Sequence, residues 1–154
     1  MRISILAIGK FENSAHQSLF KDYAKRLKWK LELKELELRN AKNLSATQVK
    51  EGEGALILQA LKPSSKLIAL DEHGKEFSSQ NFAKLFSESA LRGESDLTFV
   101  IGGANGLASE VLKRSSLQLS LGQMTLPHML ARVILIEQIY RAETIISGHP
   151  YHRE

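Results

Sequence analysis

The sequence contains no cysteine among its 154 residues. This excludes a disulfide framework, an iron–sulfur cluster and any metal site with thiolate ligands. It also has no Gly-Lys-Ser/Thr phosphate-binding loop, and the glycines between 102 and 106 lack the spacing of a dinucleotide-binding fingerprint. A nucleotide-dependent enzyme is therefore disfavoured.

A long uninterrupted hydrophobic run is also missing. The longest apolar stretch, Leu126 to Ser147, contains four charged residues, and a membrane span of about 20 residues would not carry that many cheaply. The short apolar run at the N-terminus has no cleavage-site pattern after it and is interpreted as a strand rather than a signal peptide. We therefore expect a soluble, cytoplasmic protein with no membrane association.

The length fits one domain spanning residues 1–154 with one core. The formal net charge is +4 and the isoelectric point is near 9.4. That mild excess of basic residues is compatible with a polyanionic partner such as RNA, although many proteins without such a partner share it.

Five short apolar runs have the length of strands. Three of them are nearly continuous in aliphatic residues, as expected of strands covered on both faces. The run after Lys30 alternates with charges but changes phase once, which predicts a more exposed strand with a bulge. The runs are Ile3–Ile8, Leu31–Leu38, Lys66–Leu70, Leu97–Ile101 and Leu117–Leu121.

Helical patterns lie between these runs. Leu19 and its apolar neighbours recur every fourth residue, which predicts a first helix. Ser45 with Gln48 has the spacing of a capping box and predicts the start of a second. Ser78 can cap a third helix, and Pro127 suits the first turn of a final one. Strands alternating with helices predict an α/β fold with a mostly parallel sheet layered by helices.

Three unusual loops follow the third, fourth and fifth strands: residues 71–74, 102–106 and 122–127. In a parallel sheet they lie at one edge and can line a common pocket. The glycine-rich loop could bring backbone amides close to a ligand, or it could be an ordinary tight turn. The third loop suits a partly apolar ligand such as an adenosine, or it could simply lead into a helix.

Several basic and proton-binding residues remain ambiguous. The tail residues His149 and His152 lack a third ligand, so no metal site is expected; the tail could handle protons or be solvated. Lys25 and Arg26 belong to a basic helix that could face RNA or water. Arg132 could belong to an ion-pair ladder or face the pocket.

Seven short motifs occur in one order and spacing along the chain. Together they strongly resemble the bacterial methyltransferases that modify ring nitrogen 3 of a pseudouridine in large-subunit ribosomal RNA, a family of the SPOUT superfamily. The motifs are Leu70-Asp71-x-x-Gly74-Lys75, Ser78-Ser79, Ile101-Gly102-Gly103-x-x-Gly106-Leu107, Met124-Thr125-Leu126-Pro127-His128, Arg132-Val133, Glu137-Gln138-x-Tyr140-Arg141-Ala142 and Pro150-Tyr151-His152-Arg153.

The resemblance implies a SPOUT-type fold with a C-terminal trefoil knot, a homodimer, and S-adenosylmethionine as the cofactor bound in the knot. It implies catalytic or substrate-handling roles for Tyr151, His152 and Arg153, and we expect Arg132, His128, Lys25 and Arg26 to contact the RNA substrate. The implied cofactor site, with Gly103 added from its place in the glycine-rich loop, comprises Leu70, Gly102, Gly103, Leu121, Gly122, Gln123, Met124, Thr125 and Leu126.

The function that follows is methylation of a pseudouridine in 23S ribosomal RNA on the assembled ribosome, with no metal. His152 is the expected base, because the imide nitrogen must lose a proton before it attacks. The alternative is a non-catalytic ribosome-binding or assembly factor that keeps a vestigial cofactor pocket.

Overall fold

The computed structural model describes residues 1–153 and contains five strands and five α-helices. A 3-10 turn, Ala41–Asn43, precedes the second helix. The strands are β1 (Arg2–Ile8), β2 (Lys30–Leu36), β3 (Lys66–Glu76), β4 (Asp96–Ile101) and β5 (Leu117–Ser120). The helices are α1 (Ala15–Arg26), α2 (Ala46–Ala60), α3 (Ser79–Leu91), α4 (Ser109–Arg114) and α5 (His128–Ser147).

The strands form one sheet in the order β2-β1-β4-β3-β5, and every pairing between them is parallel. This confirms the predicted fold class. Because parallel strands all end at the same edge, the loops after β3, β4 and β5 come together there.

Helices cover both faces of the sheet. Side chains of α1, α3 and α5 form one core cluster with one face, and those of α2 and α4 form a second cluster with the other. The two-sided burial explains why β1 and β4 are almost continuously aliphatic.

The predicted helix starts agree with the structure. The Ser45 hydroxyl accepts from the Gln48 amide while the Gln48 side chain accepts from the Ser45 amide, which is the predicted capping box. Ser78 caps α3, and α5 begins at His128 directly after Pro127. The short helix α4 was not predicted, because its six residues are too few for a periodic signal and its cap, Ala108, offers no side-chain acceptor.

The bulge predicted in β2 is wrong. The strand pairs with β1 in continuous register from Lys30 to Leu36 and then ends. Leu33 packs on the first core cluster and Leu36 on the second, so the change of phase moves one leucine to the opposite face of a regular strand.

The register shift lies in β3 instead. That strand was predicted to end at Leu70, but it continues to Glu76 with a break in its pairing to β5 between Leu70 and Lys75. Residues 71–74, which were predicted to be a loop, are therefore a bulged part of an edge pairing. A side chain at Gly74 would place its Cβ 2.6 Å from the backbone carbon and oxygen of Gln118, so the bulge requires glycine.

Candidate functional site

A cavity of about 690 Å³ opens at the carboxyl edge of β3, β4 and β5. Its walls come from the β3 bulge, the glycine-rich loop and the connection from β5 to α5, which are the three segments predicted to share a pocket. The predicted site residues that line it are Leu70, Gly102, Gly103, Leu121, Gly122, Met124, Thr125, Leu126 and His128. Gln123 is exposed on the same connection and is outside this lining.

The cavity has an apolar floor and a polar rim. Strand residues such as Ile101 and Leu119 form the floor, and the rim includes Asp71 and Glu72 of the bulge. The Thr125 hydroxyl donates to the Glu72 carboxylate over 3.0 Å, which ties the β5–α5 connection to the β3 bulge. A volume of this size with a few polar groups suits a ligand as large as a nucleoside carrying an amino-acid chain.

The glycine-rich loop is a compact turn. Gly106 has a φ of 75° and its amide donates to the Gly103 carbonyl over 3.1 Å. A Cβ on Gly102 would lie 2.9 Å from the Gly106 carbonyl carbon, and one on Gly103 would lie 3.0 Å from a carboxylate oxygen of Glu53. The interpretation of this loop as a tight turn is therefore correct. It is compatible with a ligand-binding role, because the folded turn also forms part of the cavity wall.

His128 begins α5 and lines the cavity. Partial burial, and then the nearby positive charge of Arg132, lower the pKa of its imidazole. A lowered pKa keeps this ring neutral around neutral pH, so one of its nitrogens can accept a hydrogen bond or a proton there.

Arg132 is placed differently from the prediction. Its side chain is fully buried and its guanidinium donates to the carbonyls of Ile8 and Gly9, over 2.5 and 2.9 Å, and to the Glu35 carboxylate over 3.1 Å. It also stacks over the Phe11 ring at 4.8 Å. The side chain faces neither the cavity nor a solvent-exposed surface, so within this chain it joins α5 to the ends of β1 and β2 and is not in a position to contact RNA.

The tail docks onto α5. The Tyr151 hydroxyl donates to Glu137 over 3.0 Å, its ring packs edge-on against Tyr140 with 4.8 Å between centroids, and Arg141 lies over its face. Burial, followed by hydrogen bonds with Tyr23 and Glu137, raises the pKa of the Tyr151 phenol. The alternative of a wholly solvated tail is thus wrong for this residue.

The rest of the tail lies away from the cavity in the same chain. The His152 imidazole is 3.3 Å from Arg141 and lines a separate open groove between α3 and the end of α5. Arg153 is exposed. The predicted tail and cofactor residues are therefore not brought together within one chain.

Lys25 and Arg26 are exposed on α1. The Arg26 guanidinium pairs with Asp22 over 2.6 Å and lies over the Tyr23 ring at 5.5 Å. Both residues point outward and remain available to a polyanion, but neither lines the cavity.

Two residues of α2 that are not among the predicted site residues belong to this region. Lys50 lines the cavity, and Glu53 is buried behind Gly103. Burial raises the pKa of the Glu53 carboxyl, and its Oε2 atom has no hydrogen-bond partner among residues 1–153. The one signal that could have drawn attention to Glu53 is its position between Gly52 and Gly54, because paired glycines are unfavourable in a helix unless packing requires them.

In the described part of the chain, no three histidine or acidic side chains are grouped as metal ligands would be. None of the helices in residues 1–153 combines the length and hydrophobicity needed to cross a bilayer.

Comparison with known proteins gives a consistent family match. The family described as "Predicted SPOUT methyltransferase" matches residues 1–152. Similar relatives include proteins named "Ribosomal RNA large subunit methyltransferase H" from Carboxydothermus hydrogenoformans, 48% identical over 99% of this chain and 100% of the relative, and from Rhodospirillum centenum, 45% identical over 99% of each. The protein of that name from Flavobacterium psychrophilum is 44% identical over the full length of both chains.

Proposed function

Because the chain belongs to the SPOUT methyltransferase family, we propose that it transfers a methyl group from S-adenosylmethionine to ring nitrogen 3 of a pseudouridine in 23S ribosomal RNA. One observation carries this proposal: the three segments that the family resemblance assigns to the cofactor converge on one cavity of about 690 Å³. The full-length similarity to large-subunit ribosomal RNA methyltransferases supports the choice of substrate.

The cavity suits this cofactor by its shape and chemistry. Leu70, Leu121 and Leu126 offer apolar surface to an adenine ring. Gly122, with a φ of 134°, has open space where a Cβ would stand, so the backbone there can approach a ligand closely. Lys50 at the rim is a suitable partner for the carboxylate of the cofactor's amino-acid chain.

The bound cofactor would supply an electrophilic methyl group on a positively charged sulfur. The imide nitrogen would bond to that carbon as the sulfur–carbon bond breaks, and a base of the protein would take the imide proton. The protein must hold the nitrogen and the methyl carbon about 3–3.5 Å apart and in line, and it must accept the proton.

Of the histidines predicted to act at the site, two can accept that proton. His128 lines the cavity in the same chain, and its lowered pKa keeps it neutral. His152 is the acceptor we propose, and because it lies on a separate groove, this assignment requires a homodimer in which the partner's tail reaches the cavity. The docking of Tyr151 against Glu137 would hold the tail in a fixed conformation for this purpose.

Exposed basic residues are proposed to hold the RNA backbone. Lys25 and Arg26 on α1, with Arg153 of the tail, offer positive charge to phosphates. A chain this small with a net charge of +4 has little surface for reading sequence, which favours the assembled ribosome in the cytoplasm as the substrate. The superfamily's trefoil knot stays a prediction.

The direct test is nucleoside mapping. Ribosomes from cells lacking this protein are incubated with the purified chain and S-adenosylmethionine labelled in the methyl group, and the large-subunit RNA is analysed by mass spectrometry. Label on N3 of one pseudouridine is the expected result. Cofactor binding without label would overturn the substrate, and absence of both would favour the non-catalytic ribosome-binding alternative.

His152→Ala is expected to lower the single-turnover methylation rate by about 100- to 1,000-fold without changing cofactor affinity, because a positioned base contributes about that much. His128→Ala is made in parallel, and His16→Ala, an exposed change on α1, is the control. A normal rate in the His152 variant together with a collapsed rate in the His128 variant would assign the proton to His128 instead.

A further inference from the structure

A buried carboxylate lies directly behind the wall of the cavity. Glu53 of α2 has 9% of its surface exposed, and its Oε2 atom has no hydrogen-bond partner among residues 1–153. A Cβ built on Gly103 would lie 3.0 and 3.1 Å from the two carboxylate oxygens. Gly103 lines the cavity on its other side, so a single glycine separates the carboxylate from the ligand space.

The other carboxylates near the cavity differ from Glu53. Asp71 accepts the His73 amide over 2.8 Å, and the exposed Glu72 accepts the Thr125 hydroxyl over 3.0 Å. Each of these two carboxylates therefore has a hydrogen-bond donor. Among the carboxylates that line the cavity or contact its wall in the described chain, Glu53 is the one that is both buried and without a donor.

The position of Glu53 is fixed by close packing of its helix. A Cβ on the adjacent Gly54 would lie 2.6 Å from the Cβ of Ala108, which follows the glycine-rich loop and caps α4. The glycine lets α2 approach α4 closely and holds the Glu53 side chain against the loop. Lys50 lies one turn earlier on α2, but Lys50 and Glu53 form no ion pair within residues 1–153, so the carboxylate is not neutralised from its own helix.

A buried acceptor without a donor costs free energy of folding. Such groups are few in native proteins, and one that lies directly behind the wall of a cavity calls for an explanation such as a ligand or a catalytic step. In a poorly solvated place the field of a carboxylate extends several ångströms with little screening. A positively charged ligand group in the cavity would be stabilised by this negative charge.

We propose that Glu53 determines the preference of this site for a positively charged methyl donor over its neutral product. This inference rests on the proposed function. Transfer of the methyl group removes the sulfonium charge, so the attraction to Glu53 acts on the donor and not on the product. The same residue would thereby favour loading of the donor and release of the product.

The test compares binding of two ligands, not activity. Isothermal titration calorimetry measures the Kd of S-adenosylmethionine and of S-adenosylhomocysteine for the full-length wild type, Glu53→Gln, and the control Glu51→Gln, which removes a charge from the exposed side of the same helix. In Glu53→Gln the Kd of the methionine form should rise about tenfold, because losing a buried unit charge beside the cavity removes an attraction of that order even at an effective dielectric constant of about 20. The Kd of the homocysteine form should change less than twofold, and the control should alter neither.

An unchanged ratio of the two Kd values in Glu53→Gln would overturn the proposal. Equal weakening of both ligands would also overturn it, because Glu53 would then merely pack the loop. If the variant does not fold, the second measurement is binding of sinefungin to the wild type. Sinefungin carries an amine in place of the sulfonium, so it should bind more tightly than the homocysteine form. Equal binding of the two refutes the proposal. Failure of the wild type to bind any of the three would overturn the proposed function itself.

Discussion

Arg132→Ala is expected to lower the free energy of unfolding by about 3–5 kcal/mol, measured by urea denaturation at equilibrium. Arg132 has the largest fully buried side chain among residues 1–153. Its guanidinium donates hydrogen bonds to the carbonyls of Ile8 and Gly9 and to the Glu35 carboxylate. Alanine would leave a cavity, and those buried acceptors would lose their hydrogen-bond donor. Since domains are typically stable by about 5–15 kcal/mol, the loss would be a large fraction of the total.

Two further variants sharpen this test. Arg132→Lys keeps a positive charge but cannot reproduce the fork of donors, so an intermediate loss is expected. Arg39→Ala removes an exposed arginine after β2 and should cost less than about 0.5 kcal/mol. If Arg132→Ala unfolds at the same urea concentration as Arg39→Ala while RNA methylation collapses, the original assignment of Arg132 to the RNA would be restored.

Gly74→Ala is expected to destabilise the fold by about 2–3 kcal/mol and to weaken binding of S-adenosylmethionine in the same preparation. Its new Cβ would stand 2.6 Å from the backbone carbon and oxygen of Gln118 in β5. Backbone atoms cannot rotate away as a side chain can, so β3 and β5 must separate. Leu70 and Leu119 lie on these two strands and line the cavity, so the same displacement would alter the ligand site.

The matched control is Gly52→Ala. A Cβ at Gly52 would lie 3.0 Å from the terminal carbons of Leu38, a flexible side chain, and alanine is favoured over glycine within a helix by about 1 kcal/mol. We expect its stability to stay within about 1 kcal/mol of wild type and cofactor affinity to be unchanged. Equal stability of the two variants would mean that the β3 bulge can absorb a side chain.

Much of this fold was predictable because its signals are local. The capping box of Ser45 and Gln48 and the cap at Ser78 involve residues three positions apart, so sequence spacing reveals them directly. The aliphatic runs of β1 and β4 reflect burial on both faces, which any parallel sheet imposes. From a parallel sheet alone it follows that the loops after its strands meet at one edge, and the cavity there was predicted on that basis.

The roles of individual charged residues were less accessible. Arg132 could have belonged to an ion-pair ladder or faced the pocket, and which carbonyls it meets depends on contacts 123 and 124 positions away. The Glu137–Arg141 pair, by contrast, has the four-residue spacing at which side chains meet across one helical turn, and it is present at 2.5 Å. The contacts of Arg132 join residues far apart in the sequence, whereas Glu137 and Arg141 lie one helical turn apart, and only the second kind of contact can be predicted from spacing.

The sequence by itself determined the class of fold, the edge of the sheet that holds the cavity and the family to which the chain belongs. The tertiary structure alone decided that β3 continues through a bulge, that Arg132 is internal, that Tyr151 docks on α5 and that Glu53 lies behind Gly103 with no partner for its Oε2 atom among residues 1–153. The physical reason is that periodicity and capping depend on neighbours within one or two turns. Burial of a particular charge depends instead on how closely distant segments approach. Here that approach is set by glycines such as Gly54 and Gly74, whose positions indicate close packing but do not show which distant segment they meet.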